Sequence, residues 1–131
     1  LSSAYDRPVW GNNMRRYEEM RDKLRSGATQ FRHLDAAQLV KHAFGLVTEA
    51  GRRNRSAALY YVFAEPASRE GKAIPDSDHA RHRQEVADFA SAVDGDDVRF
   101  EAGSYREWIS TWPNDDEIQA HGRAILATFA P

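Results

Sequence analysis

Two short stretches decide the fold: AALYYVFA, residues 57–64, and VRFEA, residues 98–102. The first is a continuous apolar run ended by Glu65-Pro66, which is typical of a strand buried on both faces. The second alternates apolar and polar residues, as a half-buried edge strand does. An amphipathic helix is predicted between them, over residues 79–93. The order strand, helix, strand predicts one βαβ unit with a right-handed crossover and parallel strands.

Helices are predicted on both sides of this unit. The strongest runs from Ala36 to about Ala50, because its apolar residues recur at helical spacing behind a capping box of Asp35 and Gln38. Gly51 and the basic residues after it are expected to close this helix. Three further helices are predicted, over residues 14–24, over 105–112 behind a Ser104–Glu107 capping box, and up to Phe129 behind an Asn114–Glu117 box.

The predicted sheet is too small to stand alone, since parallel strands are normally buried within a larger sheet. We therefore expect an α/β fold that is incomplete in this chain. Residues 1–131 are predicted to form either a single domain or the C-terminal part of one α/β domain. In the second case the first strands would lie before Leu1.

Composition limits the classes of protein to consider. The chain has 131 residues, of which 41% are hydrophobic and 29% charged, as expected for one soluble globular domain. No apolar run approaches the roughly 18 residues that span a bilayer, so a membrane partner is not expected. There is no cysteine, which excludes disulfides and thiolate metal sites and fits a reducing, cytoplasmic compartment.

Charge is distributed unevenly along the chain. Residues 1–58 carry 11 Lys and Arg against 6 Asp and Glu, whereas residues 59–131 carry 7 against 14. A basic first half suits a polyanion such as DNA. The alternative is that solvated helix faces simply differ in sign, since no dense basic run is present.

Two patterns could hold a metal ion. Asp35 with Glu70-Gly71-Lys72 formally matches the Asp and Glu-x-Lys of metal-dependent nucleases, although the triplet lies in a predicted loop and Asp35 is a better N-cap. His79 and His82 are spaced to share one helix face. Surface histidines are the alternative for that pair.

Other residues could bind nucleic acid or phosphate. Gln38 and Lys41 lie one helical turn apart and could position a phosphate or a water molecule, or could belong to a solvated stripe. Six aromatic residues could stack on bases, but we expect most of them in the core. They are Tyr60, Tyr61, Phe100, Tyr105, Trp108 and Trp112.

The order of elements resembles the later half of PD-(D/E)XK nuclease-like, that is, restriction-endonuclease-like, bacterial proteins. The resemblance is carried by QLVKHAFGL at 38–46, FAEP at 63–66, HRQEVADF at 82–89, VRF at 98–100 and SYREW at 104–108. It covers about residues 5–130 and rests on the order of the elements and on the general pattern of residue types in these stretches.

The resemblance implies a mixed central sheet flanked by helices and a DNA endonuclease that hydrolyses phosphodiesters with Mg²⁺. The family's Asp and Glu-x-Lys would lie on strands before Leu1. Gln38 falls on the helix where some branches carry a supporting Gln, so Gln38 and Lys41 are the catalytic candidates that carry over. Arg52, Arg53 and Arg55 would contact DNA phosphates, which makes binding salt-dependent.

Two other classes compete with the nuclease. The first is a non-enzymatic α/β interaction module, completed by a partner, by an upstream segment or by a homodimer formed through an open sheet edge. The second is a small-molecule enzyme, which ranks third because no convergent polar cluster predicts a pocket.

Overall fold

The structure, a computed structural model, describes residues 1–7, 9–11 and 13–129. These residues form an α/β protein with a small parallel sheet, so the predicted fold class is confirmed at that level. In chain order the elements are the 3₁₀ turn Ser3–Asp6, α1 Arg15–Ser26, α2 Ala36–Arg53, β1 Ala57–Phe63, β2 Ser68–Arg69, β3 Lys72–Ala73, α3 Asp76–Val93, β4 Val98–Ser104, α4 Tyr105–Ser110 and α5 Asp116–Phe129. Among the described helices, none combines the length and the apolar character needed to cross a membrane.

The chain divides into two compact units. The first unit comprises Leu1–Leu59 and Arg81–Glu101, and the second comprises Tyr60–Ala80 and the residues from Ala102 onward. The division runs through β1, α3 and β4, so each unit holds part of these elements. The restriction-endonuclease-like arrangement of a larger sheet stays a prediction.

Helix α2 begins as the sequence predicts and ends later. The Asp35 carboxylate accepts the N–H of Gln38 at 3.1 Å, which satisfies one of the free donors of the first turn. The end predicted at Gly51 is wrong, because the helix continues to Arg53. Asn54 takes the left-handed cap with φ 49°, and its N–H donates to the carbonyls of Ala50 and Gly51.

The first unit has a continuous apolar core. Residues from α1, α2, α3 and β4 are fully buried in it, and their spacing on each helix is the one that the sequence predicts. The ring of Phe89 lies at its centre, 6.2 Å from the ring of Tyr17 and 4.9 Å from the ring of Phe100. The largest of its side chains that have essentially no exposed surface are Tyr17, Phe44, Phe89, Met14, Val40, Val93 and Val98.

The sheet differs from the prediction in its burial. β1 pairs with β4 in a two-stranded parallel sheet, as predicted. The prediction that β1 is buried on both faces is wrong, because Phe63 is the one buried residue of its seven. Tyr60 at the middle of the strand is 44% exposed. In the described residues β4 is the only strand beside β1, so the other edge of β1 carries no strand.

The loop predicted after β1 contains a small hairpin. β2 and β3 pair antiparallel, with Ser68 opposite Ala73 and Arg69 opposite Lys72. Glu70 and Gly71 between them have φ values of 51° and 77°. Two successive positive φ values are those of a type I′ turn, which matches the twist of a short hairpin.

The helices of the second unit are capped locally. The predicted box of α4 is confirmed: the Ser104 hydroxyl accepts the N–H of Glu107 at 3.2 Å, and the Glu107 carboxylate accepts the N–H of Ser104 at 2.6 Å. The cap predicted for α5 is wrong by one residue. Asp115, and not Asn114, accepts two N–H groups from the first turn of that helix, at 3.0 and 3.1 Å.

Candidate interaction surface

The strand β1 is an apolar strand at the edge of a two-stranded sheet. Its sequence AALYYVF has seven residues and no charge, proline or glycine. Proteins usually protect an edge strand with charges, prolines or bulges, because its unpaired N–H and C=O groups are a template for another strand. β1 carries no charged residue and no proline, and its middle residue Tyr60 is exposed.

Glycine in β4 makes room for Tyr60. A Cβ atom at Gly103 would lie 3.1 Å from the Tyr60 hydroxyl oxygen. Gly103 is itself buried. The glycine therefore admits the tyrosine side chain across the pair of strands, and the rest of that side chain remains partly open to solvent.

β4 is a different kind of edge strand. Arg99 and Glu101 project from it, and the Arg99 Nε atom lies 2.7 Å from the Glu101 Oε1 atom. Both side chains are exposed. Charged side chains on an edge discourage the approach of a further strand, because pairing would desolvate them. Of the two strands, β1 is the one suited to pairing.

Three of the aromatic residues considered for the core form a half-exposed row along α4 and the turn after it. The ring of Trp108 lies 6.3 Å from the ring of Tyr105 and 5.2 Å from that of Trp112. The His121 ring stacks on Trp112 at 6.2 Å. The prediction that most of the six aromatic candidates lie in the core is wrong. Tyr60, Tyr105 and Trp108 are exposed, and Tyr61 and Trp112 are intermediate. Phe100 is also intermediate, but its ring packs on the buried Phe89.

The predicted catalytic residues lie on the surface of α2. Gln38 is exposed in the first turn, and Lys41 is half-buried one turn further on. Within the described residues, no group of three or more His, Asp or Glu side chains is arranged to hold a metal ion. The acids that the resemblance implies would lie before Leu1, so a role for Gln38 and Lys41 beside Mg²⁺ stays a prediction.

The predicted DNA-contacting arginines lie together at the end of α2. Arg52, Arg53 and Arg55 are all exposed. Glu49 offsets part of their charge, because its carboxylate lies 2.5 Å from the Arg53 Nε atom and 3.7 Å from an Arg52 Nη atom. Arg55 lies beyond this cluster, two residues before β1. DNA contact by these residues stays a prediction.

The other metal patterns have structural roles. Asp35 caps α2, as the sequence favours. Glu70 and Lys72 lie in the β2–β3 hairpin, not on a rigid long strand. The His79 Nε2 atom lies 3.1 Å from the Pro66 carbonyl oxygen, which holds the start of α3 against the end of the β1 segment.

Sequence reasoning missed two carboxylates that organise the first unit. Glu85 on α3 is 7% exposed, and its oxygens accept the N–H groups of three successive residues, 32–34, at 2.8–3.0 Å. Burial opposes its ionisation, but the three backbone donors outweigh that effect and lower the pKa of Glu85. No local sequence signal marks such a contact, because the partners lie more than fifty positions apart.

The second missed carboxylate is Asp96, which precedes β4. It accepts the N–H of Tyr17 at 2.9 Å and so caps α1 from 79 positions away. Burial raises the pKa of Asp96, although the N–H groups of Tyr17 and Arg16 act in the opposite direction. Met14, the residue at the helix's own N-cap, offers no side-chain cap. A long-range carboxylate replaces it.

The first unit also holds an open groove of about 620 Å³ lined by α1, residues 29–31 and α3. Four of its polar side chains, all on α3, engage one another in pairs. The Gln84 amide donates to Asp88 at 2.8 Å, and the Arg81 Nε atom lies 3.6 Å from Glu85. A small-molecule site needs polar groups that converge on a ligand. The groove therefore gives no support to the small-molecule enzyme.

Comparisons of this chain with family models, with curated proteins and with solved structures find no match. The resemblance to PD-(D/E)XK nucleases thus stays a prediction from the sequence. The geometry of β1 is the observation from which a function can be argued.

Proposed function

We propose that this chain is an α/β interaction module whose sheet is extended by a strand from another polypeptide, added to the edge of β1 that faces away from β4. The observation that carries the proposal is the half-exposed state of β1 in a two-stranded sheet. A parallel strand this apolar is normally covered on both faces. Addition of a strand would supply the missing part of the sheet.

The chemistry of the strand supports this mode of binding. In strand addition, main-chain hydrogen bonds provide affinity, and alternate side chains provide specificity. β1 offers seven residues with no charged side chain, which is about the length of an average strand in a globular protein. Tyr60 supplies an exposed aromatic side chain at its centre, of the kind enriched in protein interfaces.

Amide hydrogen exchange, read residue by residue by NMR on the dilute chain, tests the proposal. In an edge strand, N–H groups alternate between the neighbouring strand and solvent. We expect alternate residues of β1 to be protected by β4 and the residues between them to exchange fast. Uniform protection along the strand in the monomer would contradict the proposal, because the edge would then be covered within the chain.

A nuclease assay with plasmid DNA and Mg²⁺ discriminates through one outcome only. The nuclease hypothesis places the metal-binding acids before Leu1, so absence of cleavage by this chain is expected under both readings. Cleavage that Lys41→Ala abolishes, with His42→Ala as the neighbouring control, would favour the nuclease instead. Both variants change surface residues of α2, so neither should alter the fold.

A further inference from the structure

The half-exposed row of Tyr105, Trp108 and Trp112 is a second surface of the chain, outside the strand β1. We infer that this row, with His121 stacked at its end, binds an extended basic segment of another protein that carries arginine or lysine at alternate positions. None of these side chains belongs to β1, so the surface is separate from the edge proposed for strand addition.

The rings of the row are evenly spaced and open to solvent. Successive ring centroids from Tyr105 to His121 lie 6.3, 5.2 and 6.2 Å apart. Tyr105 and Trp108 are each 38% exposed. Alternate side chains of an extended chain are about 6.6 Å apart, since each residue adds about 3.3 Å. An extended segment can therefore place successive side chains of one face against successive rings.

The charge beside the row is negative. Residues 105–121 contain four acidic residues against one basic residue. Glu107 and Asp115 cap α4 and α5. The side chains of Asp116 and Glu117 are exposed, and within residues 1–7, 9–11 and 13–129 neither makes a hydrogen bond or an ion pair. These two carboxylates are available to a cation of a partner.

Helix geometry places Glu117 beside the row. Glu117 precedes His121 by four residues, so the two side chains lie on one face of α5, a turn apart. Arg106, the basic residue of this stretch, lies two positions from Trp108, and residues at that spacing do not face each other on a helix. The His121 end of the row is therefore flanked by a carboxylate.

This charge decides between two kinds of partner. Surfaces that stack the bases of single-stranded nucleic acids combine aromatic side chains with a positively charged groove. Here the neighbouring groups are carboxylates, which repel phosphates and attract arginine and lysine. A cation over the face of a Trp or Tyr ring is also attracted by the ring itself. Both features favour a basic peptide over nucleic acid.

Fluorescence anisotropy with labelled probes tests the inference on the intact chain. The main probe is a peptide of about eight residues in which arginine alternates with serine. The comparison probes are the same peptide with glutamate in place of arginine, and oligo(dT). We expect the arginine peptide alone to bind, and to bind more weakly as the salt concentration rises. Equal binding of the two peptides, tighter binding of oligo(dT), or no binding of the arginine peptide up to about 1 mM would overturn the inference.

Substitutions in the row locate the bound peptide. Trp108→Ala should weaken binding by about fivefold or more, because it removes a ring that attracts the cation. Trp108→Phe keeps a ring and should lose less. Phe129→Ala removes an exposed ring outside the row and should leave binding unchanged. Equal effects of Trp108→Ala and Phe129→Ala, in variants whose circular dichroism is that of the folded chain, would overturn the inference.

The carboxylate has a pair of variants that leaves the rings intact. Glu117→Gln should weaken binding of the arginine peptide by about two- to threefold. Glu70→Gln removes the same charge from the exposed β2–β3 hairpin and should have no effect. Equal losses in the two variants would show that the peptide responds to the net charge of the chain alone, which would overturn the inference.

Discussion

The two units differ in how many of their large hydrophobic side chains are buried. In the first unit, α1, α2 and α3 enclose large side chains such as Phe44 and Phe89, which have no exposed surface. In the second unit, Ile109 and Phe63 are the large hydrophobic side chains that are buried. Five of the six large hydrophobic residues exposed in the described chain also lie there: Tyr60, Tyr105, Trp108, Ile118 and Phe129.

The difference indicates that the first unit supplies most of the stability of the chain and that the second unit supplies a surface for interaction. A buried core supplies most of the free energy of folding. Exposed aromatic residues gathered in one region are typical of an interaction surface. We therefore expect core substitutions in the first unit to unfold the chain, and surface substitutions in the second unit to change association.

The largest effect is expected from Phe89→Ala. This ring is fully buried, and its loss should lower the free energy of unfolding by about 3–5 kcal/mol. Phe129→Ala is the matched change in the second unit. Because Phe129 is 71% exposed, its loss should change stability by less than about 0.5 kcal/mol. Urea denaturation measures both, and equal losses would erase the distinction between the units.

The next largest effect is expected from Glu85→Gln. The variant loses the charge that three backbone N–H groups stabilise, so the free energy of unfolding should fall by about 1.5–3 kcal/mol at neutral pH. Gln84→Ala on the same helix is the control, since its side chain is exposed. A loss no larger than that of the control would contradict the role of Glu85.

The same carboxylate gives a pH dependence of known sign. The pKa of Glu85 is lower in the folded chain, so its contribution is complete above its unfolded pKa of about 4.3 and is lost as pH falls through the folded pKa. Urea midpoints measured downward from neutral pH should therefore fall in the acid range. Glu85→Gln should flatten that fall, and an unchanged slope would count against the assignment.

Substitutions at two helical glycines, one in each unit, are expected to change stability in opposite directions. A Cβ at Gly122 would lie 2.8 Å from the Ile109 Cγ2 atom, so Gly122→Ala should destabilise the chain by about 1–3 kcal/mol. A Cβ at Gly45 on α2 meets nothing within 4 Å. Gly45→Ala should therefore stabilise the chain by about 0.5–1 kcal/mol through helix propensity. Thermal denaturation reads both signs, and a stabilising Gly122→Ala would show that α4 and α5 pack loosely.

The smallest loss of stability, control variants apart, is expected at the cap of α1. Asp96→Ala removes the acceptor of the Tyr17 N–H and should cost about 1 kcal/mol. Asp97→Ala is the control, because Asp97 donates to the Asn13 carbonyl through its backbone N–H, and the substitution keeps that bond. Chemical denaturation of both variants measures the difference, which should vanish if α1 is capped in another way.

Local signals in the sequence predicted much of the fold. The cap at Asp35 and the box at Ser104–Glu107 were predictable because the partners lie three positions apart. Glu85 and Asp96 were not, since their partners come close only after the chain has folded. At the candidate surface, an apolar run predicts the strand β1 but cannot reveal how many strands cover it. The exposure of the Tyr60 side chain depends on what packs on the strand after folding, which the apolar run does not show.

The most direct measurement is amide hydrogen exchange along β1, read residue by residue by NMR on the dilute chain. In the described residues β4 is the only strand beside β1, so one edge of Ala57–Phe63 carries no strand. We predict that alternate amides of β1 are protected by β4 and that the amides between them exchange fast. Uniform protection along β1 would contradict an edge that is open to an added strand.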